Sequence, residues 1–182
     1  MSDSDFDAFV KKMSAEKNKK EEEVFDPEKQ IQEWKFYLNN FYEKIISYLK
    51  EYIDSGDIEI LSKTKTINEE FYGEYEVDIK SILIGNTEVF LDPIGTMLIG
   101  AKGRVDMKGR REVRRFVLVD KKSTKPHFNI SITINGENPV SPPVRTEPIE
   151  WDWKLTSMPP KIHYFDLTKE SFREALLAVA DV

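Results

Sequence analysis

Residues 27–54 read PEKQIQEWKFYLNNFYEKIISYLKEYID, and this stretch decides the fold. Ile31, Trp34, Leu38, Phe41, Ile45, Tyr48 and Tyr52 follow one another at alternating spacings of 3 and 4 residues, the repeat of a single helical face. Asp26 suits an N-cap, Pro27 the first helical position, and Glu28 the positive end of the helix dipole. Gly56 suits the residue just past the end. Phe36, Tyr37, Tyr42, Ile46, Leu49 and Ile53 are also apolar and lie off that seam. A coiled-coil dimer keeps such positions polar. A helix apolar around much of its circumference buries itself in its own domain. The stretch therefore reads as a core helix lying across a sheet.

Working outward, the period changes from 3.6 to 2 after Ile58. Tyr75, Val77, Ile79, Ser81 and Leu83 alternate with Glu74, Glu76, Asp78 and Lys80. Asn86 marks a turn. Val89 and Leu91 continue the alternation, and Asp92-Pro93-Ile94-Gly95 interrupts it. Met97, Ile99, Ala101, Gly103, Val105 and Met107 form one face of the next strand. Lys108-Gly109-Arg110 suits a hairpin turn. Setting Val105 opposite Val113, Ala101 opposite Val117 and Ile99 opposite Val119 makes one face uniformly apolar, the usual criterion of register. On the other face the diagonals Arg104–Glu112 and Asp106–Arg114 then join opposite charges.

Phe128, Ile130, Ile132 and Ile134 alternate as a further strand, and residues 135–148 form a long loop with four prolines. Trp151, Trp153 and Leu155 share a face of a last strand, with the tryptophans packing on a helix. Pro159-Pro160 ends that strand. Thr168 caps a final helix over 168–180, with Leu167 and Phe172 as a hydrophobic staple. Strands grouped between helices give an α+β fold. The expectation is a long N-terminal helix on a twisted, mainly antiparallel sheet of about six strands, with a short C-terminal helix. Residues 1–26, which include the run Lys17–Glu23, read as a flexible charged arm, and 27–182 as one domain. Within the arm, Phe6, Phe9, Val10 and Met13 form a short helical stripe.

Composition narrows the function. The 182 residues contain no cysteine and two histidines, His127 and His163. That excludes a disulfide scaffold, a thiolate zinc site, an iron–sulfur cluster and a cysteine nucleophile. No P-loop or Gly-x-Ser-x-Gly elbow is present, and no cofactor motif is found. His127 reads as a surface residue and His163 as partly buried. No apolar run approaches the ~20 residues of a membrane span. The acidic start does not resemble a signal peptide. A cytoplasmic protein is expected.

Charge is unevenly spread. With 27 Lys+Arg and 33 Asp+Glu the net charge is −6. Residues 102–125 nonetheless hold ten basic side chains (Lys102, Arg104, Lys108, Arg110, Arg111, Arg114, Arg115, Lys121, Lys122, Lys125) against three acids. Residues 69–78 hold five acids and no base. A basic patch binds phosphates, so Lys102, Arg104, Arg110, Arg111, Arg114 and Arg115 form a candidate nucleic-acid surface. Ile99-Gly100-Ala101-Lys102-Gly103-Arg104 resembles the Ile-Gly-x-x-Gly core of a KH domain. A KH loop joins two helices, however, and these glycines fall in strand-period sequence. Gly103 reads instead as clearance for Arg115 across the hairpin. Asp92 with Asp106-Met107-Lys108 is similar to the PD-(D/E)-x-K nuclease pattern. That resemblance implies two Mg²⁺-holding acids and a water-positioning lysine, although the first element is Asp-Pro rather than Pro-Asp.

No stretch collects a nucleophile, a base and oxyanion donors. Opposed charge fields instead suit fast, specific association with another protein. The leading expectation is a non-catalytic protein-binding domain that meets a basic protein partner through Glu69, Glu70, Tyr72, Glu74, Tyr75, Glu76 and Asp78. In general character this is similar to bacterial immunity proteins, which block a toxin's basic site.

Overall fold

The computed structural model describes residues 26–96, 100–126 and 148–180. The expected strand at 128–134, most of the proline loop and the stripe at 6–13 lie outside these residues. The chain runs α1 (Pro27–Ser55), β1 (Ile58–Glu69), β2 (Gly73–Ile84), β3 (Thr87–Gly95), β4 (Gly103–Lys108), β5 (Val113–Asp120), β6 (Trp151–Thr156), β7 (Tyr164–Asp166) and α2 (Lys169–Ala180). All seven strands pair antiparallel with their sequence neighbours in one meander, order β1 to β7. The fold is α+β, with seven strands among the described residues where about six were expected. β7, which was not expected, has three residues and follows the Pro159-Pro160 break. Among the described residues no helix is long and apolar enough to cross a membrane.

Local chemistry sets both ends of α1. The Lys29 amide donates to the Asp26 carboxylate at 3.1 Å. At the other end Gly56 adopts φ 82°, which directs its amide to Ile53 O and the Asp57 amide to Tyr52 O. Trp34, Leu38, Phe41, Tyr42, Ile45 and Leu49 are buried. Tyr48 is half-buried and Tyr52 exposed, so the buried stripe departs from the strict seven-residue repeat toward Leu49. That drift is what a straight helix of 3.6 residues per turn produces on a sheet. Phe41 lies 5.2 Å from the Phe116 ring and 4.9 Å from Trp153, and Phe116 lies 6.3 Å from Phe172 of α2. Both helices therefore cover the same face of the sheet. Trp153 is buried on α1 as expected, its indole N–H donating to Tyr37 O at 2.9 Å.

Asp92-Pro93-Ile94-Gly95 does not interrupt the strand as expected but completes β3, with a register shift between Pro93 and Gly95. Two further strand assignments need correction. Val105 pairs with Phe116, Gly103 with Leu118 and Met107 with Arg114. The expected hairpin register is thus displaced by three residues, and the loop is residues 109–112. Phe116 and Leu118 belong to the core, whereas Val117 and Val119 are buried outside that cluster. A strand buried on both faces offers no alternation from which to choose a register. Gly103 is also explained differently. A Cβ there would meet the Trp34 ring, not Arg115, so the glycine lets α1 lie against β4.

The second correction concerns β2. Its register with β1 is uninterrupted from Ile58↔Ile84 to Glu69↔Gly73. Yet the core takes Ile58, Ile60, Ile82 and Ile84 at one end and Ile67, Tyr75 and Val77 at the other. Buried parity switches along both strands together, with no bulge. Right-handed twist accumulated over seven residue pairs of a two-stranded ribbon turns the opposite face inward. Ile79 and Leu83, expected on the inward face with Tyr75 and Val77, are half-buried and lie outside the core cluster.

Candidate functional site

β3 pairs with β2 only from Lys80 to Ile84. Beyond Lys80 the outer half of the β1–β2 hairpin diverges from the sheet. Tyr42 bridges the fork from α1, its hydroxyl donating to Asp78 O at 2.6 Å. Burial, with the charges of Asp78 and Asp92, pushes the Tyr42 phenol up, so it remains a donor.

On this outer half, odd positions face inward. Ile67, Tyr75, Val77 and Glu69 are buried. Glu69 is not on the surface. Its carboxylate accepts from the Tyr75 hydroxyl and from the Thr96 amide at 2.8 Å, and it lies against Gly95, where a Cβ would displace it. Burial and the Glu69 carboxylate push the Tyr75 phenol up. Glu69 and Tyr75 together tie the hairpin tip to the end of β3.

Even positions face solvent. The cross-strand pairs are Ser62↔Lys80, Thr64↔Asp78, Thr66↔Glu76 and Asn68↔Glu74. The acids stand in one column on β2, ~6.8 Å apart. Opposite them β1 supplies threonine and asparagine, where lysine would have added cross-strand stabilisation. Asp78 has one cation, Lys80 at 3.2 Å. Glu74 has only the Asn68 amide, also at 3.2 Å, and Glu76 has no ion-pair partner among the described residues. At the tip, Glu70 is exposed, Tyr72 half-buried, and Phe71 61% exposed. A polar cleft of about 340 Å³ lies beside the column, lined by Lys35, Asn39, Thr64, Glu76 and Asp78 among others. Of the seven residues expected to contact a partner, Glu70, Glu74, Glu76 and Asp78 share the exterior of one arm, Tyr72 is at its tip, and Glu69 and Tyr75 support it from inside.

Asp92, Asp106 and Lys108 do come together. Asp92 and Asp106 are direct cross-strand partners. Every carboxylate oxygen has a cation. Lys65 and Lys108 each reach Asp92 at 2.5 Å, and Arg104 grips Asp106 through two bonds of 2.6 and 2.7 Å. The geometry is a closed ion-pair cluster. Among the described residues no three His, Asp or Glu side chains converge as metal ligands. Lys65, 27 residues from Asp92, had no sequence signal.

The Asp92 cluster yields a stability prediction. Burial pushes the Asp92 carboxyl up, but the Lys108 and Lys65 hydrogen bonds outweigh burial and hold it below the usual carboxylate range. A lowered folded pKa contributes stability at pH above the unfolded value of ~3.9, and this is lost as pH falls through the folded pKa. Asp92→Asn leaves two ammonium groups facing each other. The expected cost near pH 7 is about 2–3 kcal/mol, below the ~3–5 of a fully buried pair because both lysines are partly exposed. Denaturant titrations should show the deficit at pH 7 and its shrinkage below about pH 4. A deficit independent of pH contradicts the assignment.

The basic set is dispersed. Lys102 pairs with Glu33 at 2.5 Å and lies over the Tyr37 and Trp151 rings, Arg104 serves Asp106, and Arg114 serves Glu112 at 2.6 Å. Arg104–Asp106 is a pair within β4 and Arg114–Glu112 joins β5 to the loop residue just before it, so neither is the cross-strand diagonal expected. Arg110, Arg111 and Arg115 are exposed, without an ion-pair partner among the described residues. His163 is exposed rather than partly buried. Comparison with protein-family models, curated proteins and solved structures finds no match to this chain.

Proposed function

We propose that this is a non-catalytic protein-binding domain whose β1–β2 arm docks a protein with a basic surface, in the manner of an inhibitor or immunity protein. One observation carries the reading: a column of three acids stands on an exposed sheet face opposite threonines and asparagine, with a single lysine on it. Fold stability gains nothing from such an arrangement, because like charges on one strand repel. A focused negative field accelerates encounter with a complementary surface and sharpens specificity.

Reversing Glu74, Glu76 and Asp78 to lysine tests it. These side chains are exposed, so melting should shift little. Association with a basic partner should slow about tenfold or more at low salt, and the wild-type rate should fall steeply with ionic strength. Unchanged kinetics at low salt reject this face. A second reading rests on Arg110, Arg111 and Arg115, which are exposed and have no ion-pair partner among the described residues. Under that reading heparin retains the chain, and replacing the three by alanine abolishes retention.

A further inference from the structure

The free edge of β1 extends the acidic-arm reading and rests on it. Among the described residues β1 bounds the sheet and pairs with β2 alone. The direction of its remaining backbone groups follows from the register. Gly85 and Asn86 form a two-residue loop, so Ile84 and Thr87 face each other as a hydrogen-bonded pair. Even residues of β2 therefore point toward β3. Tyr42, reaching Asp78 O from that side, agrees. Odd residues of β2 face odd residues of β1 across an unbroken register. The N–H and C=O groups of Ile60, Ser62, Thr64, Thr66 and Asn68 consequently point away from the sheet. Among the described residues no other segment bonds to them.

Natural edge strands are protected by proline, a bulge, charges or a covering element. β1 is 12 residues long and contains neither proline nor a register shift. Of its two lysines, Lys65 is drawn to Asp92 and only Lys63 is left at the edge. Among the described residues nothing covers the edge, and on the acidic side its exposed side chains are short: Ser62, Thr64, Thr66 and Asn68.

We propose that β1 accepts an extended segment of a basic protein as an eighth strand, with Lys or Arg at alternate positions on the acidic side. A strand added to β1 lies two spacings, ~9.6 Å, from β2. A lysine or arginine crosses that gap above the short β1 side chains and meets Glu74, Glu76 or Asp78. Both columns repeat every second residue, so the charges stay in step along the arm. A second copy of this chain does not fit. Antiparallel pairing of two β1 edges sets outward-bonding even residues opposite each other, with their side chains on the same face. The second copy therefore brings Ser62, Thr64, Thr66 and Asn68 to the acidic side, and no cation.

The probe is acetyl-(Lys-Thr)4-amide added to the full chain. The control is a peptide of equal composition with its lysines in one block. The alternating peptide should protect the Ser62, Thr64 and Thr66 amides from hydrogen exchange and bind about tenfold more tightly than the block peptide. Thr66→Pro removes one outward N–H without breaking the β2 ladder and should weaken binding about tenfold. Backbone N-methylation of the peptide makes the same test without altering the protein. Equal binding of alternating, block and N-methylated peptides, with the β1 amides unprotected, overturns strand addition and leaves the acidic face standing. Alternating-peptide affinity unchanged by reversal of Glu74, Glu76 and Asp78 overturns the acidic face itself. β1 amides protected by concentrating the protein alone would make a second copy the occupant and also overturn the proposal.

Discussion

Gly103→Ala is expected to cost about 3 kcal/mol or more, near the top of the ~1–3 kcal/mol usual for overpacking. A Cβ on Gly103 would sit against Cζ3 and 2.6 Å from Cε3 of Trp34. Trp34 is 1% exposed and packs on Trp153 at 5.9 Å, so the ring has nowhere to retreat. Relief requires α1 to lift from β4, and that opens the core. At roughly 2–4 °C per kcal/mol for a chain of this size, melting should fall by about 6–12 °C. Shortening Trp34 to leucine should recover part of the loss, because the two sites share one contact. A Gly103→Ala protein melting within about 2 °C of wild type would show that the helix does not lie on this strand.

Phe41→Ala should be as damaging for the opposite reason. Phe41 is fully buried and touches Tyr42, Phe116 and Trp153. It joins α1 to β5 and β6, and removing it leaves a cavity among rigid aromatic rings. The expected cost is about 3–5 kcal/mol, a large part of a typical domain's stability. Phe36→Ala, on the same helix but 60% exposed, should stay within about 0.5 kcal/mol. Denaturant unfolding of the pair distinguishes a helix buried in its own domain from one zipped to a second chain. In the first case the midpoints do not depend on protein concentration. Concentration-dependent midpoints would assign the apolar seam to a dimer.

The sequence reading and the structure agree where local signals were redundant. α1 carried a long apolar repeat, an Asp-Pro start and a glycine stop, and the caps form at those residues. α2 was equally marked, with the Thr168 hydroxyl accepting from the Ser171 amide at 3.2 Å and Leu167 and Phe172 both buried. Agreement failed where burial no longer alternated. β5 is buried on both faces over Phe116–Val119, so the uniformly apolar face chosen from the sequence did not identify the register. Gly103 was recognisable as a place of close approach, but its neighbour depended on that register. The acidic column was visible from Glu74, Glu76 and Asp78 alone. Two features of it were not visible: threonine and asparagine as cross-strand partners, and Glu69 on the inner face. Both depend on pairing β1 with β2, and the ribbon's twist hides that pairing from any one-strand pattern. The Lys65–Asp92–Lys108 cluster joins three strands and leaves no periodic trace.

Chemical-shift mapping with a short oligolysine tests the central claim most directly. The acidic arm should respond first and most strongly at low salt, with amide shifts concentrated at Thr64, Thr66, Glu74, Glu76 and Asp78 and fading as salt rises. Shifts spread evenly over the exposed acids, including Glu43, Asp54 and Glu150, would mean that the column focuses no field and that the arm is not the docking surface.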